Sequence, residues 1–216
     1  MAELMTISRQ GTGEYSEKKS KFIGRAAHVT SEEEAAALIS EIKSKHWDAR
    51  HNVYAYVIGG NGEIQRSTDD GEPSGTAGRP ILEIIRAEGL TDVAVVVTRY
   101  FGGVLLGTGG LVRAYGKAAK AALENAERVR PVKMKTIAVT ADYEFGGKIQ
   151  NFLIKSDIAI DHIDYQNDVT IFFSLPSAEA RNIGELLSRQ FQRDVPFRIL
   201  PEERIQYVPV EEGTSF

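Results

Sequence analysis

Two glycine-rich segments hold the residues best suited to chemistry. The first runs from Asp69 to Gly78 and includes Asp70, Gly71, Glu72, Pro73, Ser74, Gly75, Thr76 and Ala77. Its Asp-Gly, Glu-Pro and Ser-Gly steps continue neither a helix nor a strand, so it reads as a loop. The second segment runs Arg99-Tyr100-Phe101-Gly102-Gly103 and resumes at Gly107-Thr108-Gly109-Gly110. Thirteen of the 20 glycines fall between Gly59 and Gly116, which concentrates the permissive backbone around these segments. The second segment lies between an all-apolar strand pattern and a helical one. In an α/β arrangement, a loop after the carboxyl end of a buried strand is where ligands usually meet the protein.

The residue types there suit a phosphate. An arginine such as Arg99 can hold phosphate through two parallel N–H bonds, and Tyr100 or Phe101 can stack on an exposed base. The Gly107 to Gly110 turn offers free backbone N–H groups at a helix N-terminus, a ready anion site. Arg113, Lys117 and Lys120 recur at i, i+4 and i+7 and so share one stripe of the following helix, while no acidic residue occurs from Val93 to Leu123. These residues together describe a surface for phosphate or nucleic acid. The alternative is a merely tight turn beside a solvated basic helix face.

Other residues carry weaker signals. Asp69, Asp70 and Glu72 are of the type that holds magnesium, and equally of the type that forms turns, so no metal site is assigned. Arg50 and His51, just before a strand pattern, could face a cleft; a lone hydrogen-bonded histidine is the simpler account. With three carboxylates, three glycines and no large apolar side chain, the Asp69–Gly78 loop is expected to be mobile without a partner. Named motifs fail. Five residues separate Gly110 from Gly116, one too many for a phosphate loop, and Ala118 stands where magnesium needs a hydroxyl. Ser74 is not in a nucleophile elbow.

The elements that must position these residues follow from periodicity. Thr6 to Gln10 and Phe22 to Val29 read as strands. Ser31 with Glu32, Glu33 and Glu34 opens a helix carrying Ala35, Leu38, Ile39 and Ile42. Val53 to Ile58 and Glu63 to Ser67 form a hairpin. A helix follows Pro80, then a buried strand from Thr91 to Thr98, then a helix from Leu111 to Asn125 with Leu111, Ala114, Tyr115, Ala118 and Ala122 inward. Arg128 to Pro131 reads as a linker. Beyond it, strand, helix, two strands, helix (Ser177 to Gln190) and strand give the split βαβ, ferredoxin-like order βαββαβ. Glu211 to Phe216 is expected to be a frayed tail. The fold class is thus α+β with two domains, 1–130 and 131–216, expected to fold separately after cleavage near the linker.

Composition sets bounds on function. The chain of 216 residues has no cysteine, which excludes disulfides, a cysteine nucleophile and cysteine-ligated metals. Its net charge of −4 gives no global attraction to nucleic acid or membrane. Residues 1–130 are balanced at 17 basic and 17 acidic, so an anion site fits the first domain better than the acidic second. No signal segment is visible, and a cytoplasmic protein without membrane contact is expected.

The segments Asp69 to Pro80, Val95 to Gly103 and Leu106 to Gly116, in that order, resemble the signature of the IMPACT family, in its bacterial YigZ/YvyE-type branch. The resemblance extends over nearly the whole chain. It implies a first domain similar to domain IV of elongation factor G and a second similar to its domain V. Family signature residues fall on Asp69, Asp70, Gly71, Glu72, Gly75, Arg99, Tyr100, Phe101, Gly102, Gly103, Gly107 and Gly110. The family carries no settled catalytic assignment, and no cofactor is implied. Its eukaryotic relatives regulate translation through a further N-terminal domain that this chain is not expected to carry, so their kinase-directed role is not transferred. The expected function is translation-associated regulation, by binding RNA, the ribosome or a protein partner in translation. The alternatives are an enzyme acting on a phosphate ligand, since related folds host small-molecule kinases, and a pure protein-interaction module.

Overall fold

The computed structural model describes residues 5–210; the tail expected at Glu211 to Phe216 lies outside them. The described residues divide into two compact units, 5–131 together with 207–210, and 132–206. Both units mix helices and strands, giving a two-domain α+β protein.

The first unit is built on a five-stranded antiparallel sheet in the order β2-β3-β6-β4-β5. The strands are β2 (Gly11–Glu17), β3 (Ser20–His28), β4 (His51–Ile58), β5 (Ile64–Thr68) and β6 (Val93–Tyr100), and a short β1 (Thr6–Arg9) precedes them. β6 is central, and its residues from Val93 to Arg99 are all buried, as a continuous apolar run demands. Side chains alternate between two faces. On one face Phe22, Ala26, Val53, Val95 and Val97 pack with Ile81 and Ile85 of α2 (Gly78–Ala87) and with Ala114, Tyr115 and Ala118 of α3 (Thr108–Glu124). On the other, Tyr56, Ile58 and Ala94 pack with Ala35 of α1 (Glu32–Lys45). The Ser31 side chain caps α1 by accepting from the Glu34 N–H, and Glu34 reaches back to the Thr30 N–H.

The sequence pattern does not announce β2, since Gly11, Gly13, Glu14 and Glu17 are poor strand formers. Its position beneath α3 explains the glycines. A Cβ on Gly13 would stand 2.6 Å from the Ala121 Cβ, and one on Gly24 of β3 would run into the Ala118 carbonyl oxygen. The helix backbone therefore lies directly against the strands. The β2–β3 turn uses Lys18 and Lys19, both at positive φ, which matches the right-handed twist of a two-residue hairpin without the usual Asn-Gly.

The expected linker at Arg128 to Pro131 is instead part of a long strand, β7 (Glu127–Ala141). In the first unit it pairs with β1, Thr6 opposite Val129 and Ile7 opposite Arg128. Paired backbone leaves no free tether there. In the second unit β7 pairs antiparallel with β9 (Val169–Pro176), and β9 with β8 (Ile160–Tyr165). β10 (Phe197–Pro209) pairs with β7, completing the βαββαβ order. α4 (Tyr143–Lys155) and α6 (Ile183–Phe191) supply Ile149, Leu153, Ile183 and Leu187 to a core with Ile137, Val139, Ile171 and Phe173. The single helix expected from Ser177 to Gln190 is broken into α5 (Ser177–Ala180) and α6, with a turn at Arg181 and Asn182.

Candidate functional site

Strand register brings the first site residues together. Arg99 on β6 lies between Phe22 on β3 and His51 on β4, directly opposite each. Cross-strand partners share a face, so all three point toward α2 and α3. The Arg99 guanidinium carbon lies 5.4 Å from the ring centroids of both Phe22 and Phe101. Arg99 is only 5% exposed. Its Nη1 donates to Glu72 Oε1 at 2.6 Å, and its Nε is buried with no partner. The Glu72 side chain is 4% exposed, and the same Oε1 accepts from the Tyr115 hydroxyl at 2.7 Å. Burial, then this hydrogen bond, pushes the Tyr115 hydroxyl pKa well up, so the phenol stays protonated. Both bonds fall on Oε1, and Glu72 Oε2 has no partner among the described residues.

His51 is held by its other nitrogen. Nδ1 lies 2.8 Å from the Asp70 carbonyl oxygen. A carbonyl can only accept, so Nδ1 carries the proton. In the neutral ring Nε2 is therefore the free acceptor, 3.9 Å from Glu72 Oε1.

Two expectations change here. Arg99 is not a free phosphate clamp, because Glu72 already holds it. Tyr100 does not share a face with Arg99 and Phe101. Successive strand residues point to opposite faces, and the Tyr100 hydroxyl meets His46 Nδ1 at 2.8 Å and donates to Asp48 at the end of α1. One ligand cannot use Arg99 and stack on Tyr100. Phe101, 43% exposed, is the accessible ring.

The Asp69–Gly78 loop is anchored rather than loose. Asp69 accepts from the backbone N–H groups of Gly75, Ala77 and Gly78, and so caps α2, whose own N-cap residue Ala77 supplies no side-chain bond. Asp70 takes Lys43 Nζ and the Asn52 N–H. Thr76 Oγ1 donates to the Pro73 carbonyl, and Gly71 lies against the His51 ring. The three carboxylates thus point to three different partners. Among the described residues no group of three or more His, Asp or Glu is arranged to hold a metal.

Desolvation raises the Asp69 pKa, but the three backbone hydrogen bonds outweigh it and leave the carboxyl below its ordinary value. A depressed carboxylate contributes stability that is complete above the unfolded pKa and is lost as pH falls through the folded one. Asp69→Ala is therefore expected to lower stability by about 1–3 kcal/mol at pH 7, the cost of orphaned N–H groups. The gap between wild type and variant should shrink below about pH 4. Urea titrations at pH 7 and at pH 3 measure this, and a pH-independent gap contradicts the assigned role.

The second segment forms the far wall. Gly102 donates its N–H to Ser20, and Gly103 and Gly107 have positive φ. Gly107 is the N-cap of α3 at φ 72°, a conformation that favours glycine, and no side chain caps the helix. The N–H groups of Thr108, Gly109 and buried Gly110, in the helix's first turn, have no intrahelical partner. Arg113 folds back beside them: its Nη1 lies 3.6 Å from the place a Cβ on Gly109 would occupy. Arg113, Lys117 and Lys120 are all exposed, as the stripe predicts. Lys117 sits 4.8 Å from the Tyr15 ring centroid, and Lys120 pairs with Glu124 at 3.8 Å.

Between the walls is a cleft of about 340 Å³, lined by Arg50, His51, Glu72 and Arg99 on the polar side and by Phe101 and Leu105 among its apolar residues. Sequence reasoning misses the roles of Tyr115, Phe22 and Leu105. A tyrosine on a buried helix stripe must find a hydrogen-bond partner, and that requirement is the signal that could flag Tyr115.

The fold and site define a two-domain α+β protein with a cleft and a basic helix face on its first unit. Residues 18–123 match the family described as the Impact N-terminal domain, and residues 139–192 match a domain of unknown function, DUF1949. The IMPACT family member YvyE of Bacillus subtilis is 46% identical over 85% of this chain and 84% of its own length. YigZ of Escherichia coli is 37% identical over 79% and 85%. A crystal structure described only as that of a hypothetical protein is 32% identical, covers 98% of this chain and 99% of its own, and has a TM-score of 0.58. The chain belongs to the IMPACT family. No helix among the described residues is long and apolar enough to cross a membrane.

Proposed function

We propose that this protein binds RNA in association with the translation machinery, through the amino end of α3 and the basic face that continues from it. One observation carries the reading. The uncapped first turn of α3 opens beside Arg113, and Lys117 follows one turn later on the same exposed stripe. Backbone donors, the positive end of the helix dipole and two cations then follow a phosphate backbone, and exposed Phe101 offers a stacking surface. The elongation-factor likeness that the family resemblance implies points to the ribosome as the place where the RNA is met. The setting is cytoplasmic, and a protein partner there is compatible with the same face.

Binding of a single-stranded RNA across a salt series tests the reading. Arg113→Ala with Lys117→Ala is expected to flatten the log–log salt slope by about 0.7 for each phosphate no longer neutralised. Phe101→Ala is expected to weaken binding at every salt concentration by about 1–3 kcal/mol. Unchanged affinity in both variants, with the fold intact, overturns the reading. A second reading, an enzyme acting on a phosphate ligand, is favoured by the buried Glu72–Arg99 pair beside His51. Stabilisation by a nucleotide without any ribosome or RNA association supports that reading instead.

A further inference from the structure

The walls of the cleft differ in chemistry, and each asks for a different part of one molecule. The polar wall holds two acceptors side by side. Glu72 Oε2 has no partner among the described residues, on a side chain 4% exposed, and in the neutral His51 ring, whose Nδ1 proton goes to the Asp70 carbonyl, Nε2 is an acceptor. Nε2 lies 3.9 Å from Glu72 Oε1, the other oxygen of the same carboxylate. Arg99 places its Nη1 on Glu72 Oε1 rather than on either of the two acceptors. Two adjacent unpaired acceptors call for two adjacent hydroxyl donors. The amino end of α3 at Gly107 and Thr108, together with Arg50, offers donors and positive charge, which call for a phosphate. Phe101, Leu105 and Leu106 form an apolar wall, and Leu105 is 82% exposed, an unusual state for a leucine with nothing to cover. That wall calls for a flat, weakly polar ring. At about 340 Å³ the cleft lies at the small end of ligand sites and takes one such unit, not a strand.

From this juxtaposition we infer that the cleft binds a single ribonucleotide: phosphate at the α3 amino end, base against Phe101 and Leu105, and a free vicinal 2′,3′-diol on Glu72 and His51. A ribose carries both hydroxyls free in two settings, a 5′-mononucleotide and the 3′ end of an RNA. Deoxyribose lacks one hydroxyl, and an internal RNA residue has its 3′ oxygen esterified. The inference rests on the RNA reading above and adds the part of the RNA, or the soluble nucleotide, that the cleft selects.

Calorimetric titration of the wild-type protein tests it, with adenosine 5′-monophosphate against its 2′-deoxy analogue, and an RNA oligonucleotide ending in a 3′-hydroxyl against the same oligonucleotide ending in a 3′-phosphate. The ribonucleotide is expected to bind at least tenfold more tightly than the deoxy form, because a missing hydroxyl removes a hydrogen bond and leaves an acceptor of the cleft unpaired beneath the bound ligand. His51→Ala is expected to bring the two affinities together while leaving the salt dependence of RNA binding unchanged. If the source is an RNA end, the 3′-hydroxyl oligonucleotide outcompetes the 3′-phosphate form. If it is the free nucleotide, both oligonucleotides bind alike and the mononucleotide does not displace them. Equal binding of the ribo and deoxy nucleotides, or binding of neither, overturns the inference. RNA binding that still depends on Arg113 and Lys117 would then leave the broader reading standing, and loss of all RNA binding would remove both.

Discussion

Glu72→Ala is expected to lower folding stability by about 3–5 kcal/mol, the usual consequence of removing one partner from a buried ion pair. The variant leaves the Arg99 guanidinium, on a residue 5% exposed, without its counter-charge. It also strips the acceptor from the Tyr115 hydroxyl. Nε of Arg99 is already without a partner, so nothing nearby is positioned to take over. Replacing both charges tests the cause. Glu72→Leu with Arg99→Met should recover most of the loss, since the charge and the need for it leave together. Urea unfolding of the single and double variants reads this directly. A loss below about 1 kcal/mol for Glu72→Ala would mean that the loop opens and lets water reach Arg99.

The second large effect is expected at Phe22. Its ring is fully buried, stands edge-on to Tyr115 at 5.1 Å and lies under the Arg99 guanidinium. Phe22→Ala removes the floor beneath both, and the expected cost is about 3–5 kcal/mol. Phe22→Leu keeps most of the volume and should lose considerably less. If thermal unfolding ranked the two variants equally, the aromatic edge contact rather than the filled space would be the source of the stability.

How much of this is legible in the sequence depends on the range of the cause. β6 is readable because five consecutive apolar residues fit a strand buried on both faces. α1 is readable because Ser31 and Glu34 form its cap locally. β2 is not, because Gly11 and Gly13 are there for α3, whose residues lie about a hundred positions further along the chain. The anchoring of the Asp69–Gly78 loop escapes sequence reasoning for a related reason. Its carboxylates find backbone N–H groups, a lysine and an arginine that no local pattern announces. The separation of Arg99 from Tyr100 is legible in principle, since strand period alone sends neighbours to opposite faces. The meeting of His51, Arg99 and Phe22 is not, because register is settled by how the strands pair. The signature residues fall on both walls of the cleft, and within them the structure groups Glu72 and Phe101 with Arg99 and His51 and turns Tyr100 to the other face.

The division of the chain has a consequence for the order of events during synthesis. Residues 207–210 belong to the first unit, and the Val210 N–H donates to the Arg128 carbonyl. Everything between, residues 132–206, forms the second unit. As the chain emerges from the ribosome, β2 through β6 and α3 can pair and pack at once, because the strands of the sheet and the helices on it all lie within that stretch. The last backbone partner of Arg128 arrives only after the whole second unit has been translated. The first unit is thus begun first and closed last, and its Arg128 carbonyl waits for nearly the final residues described.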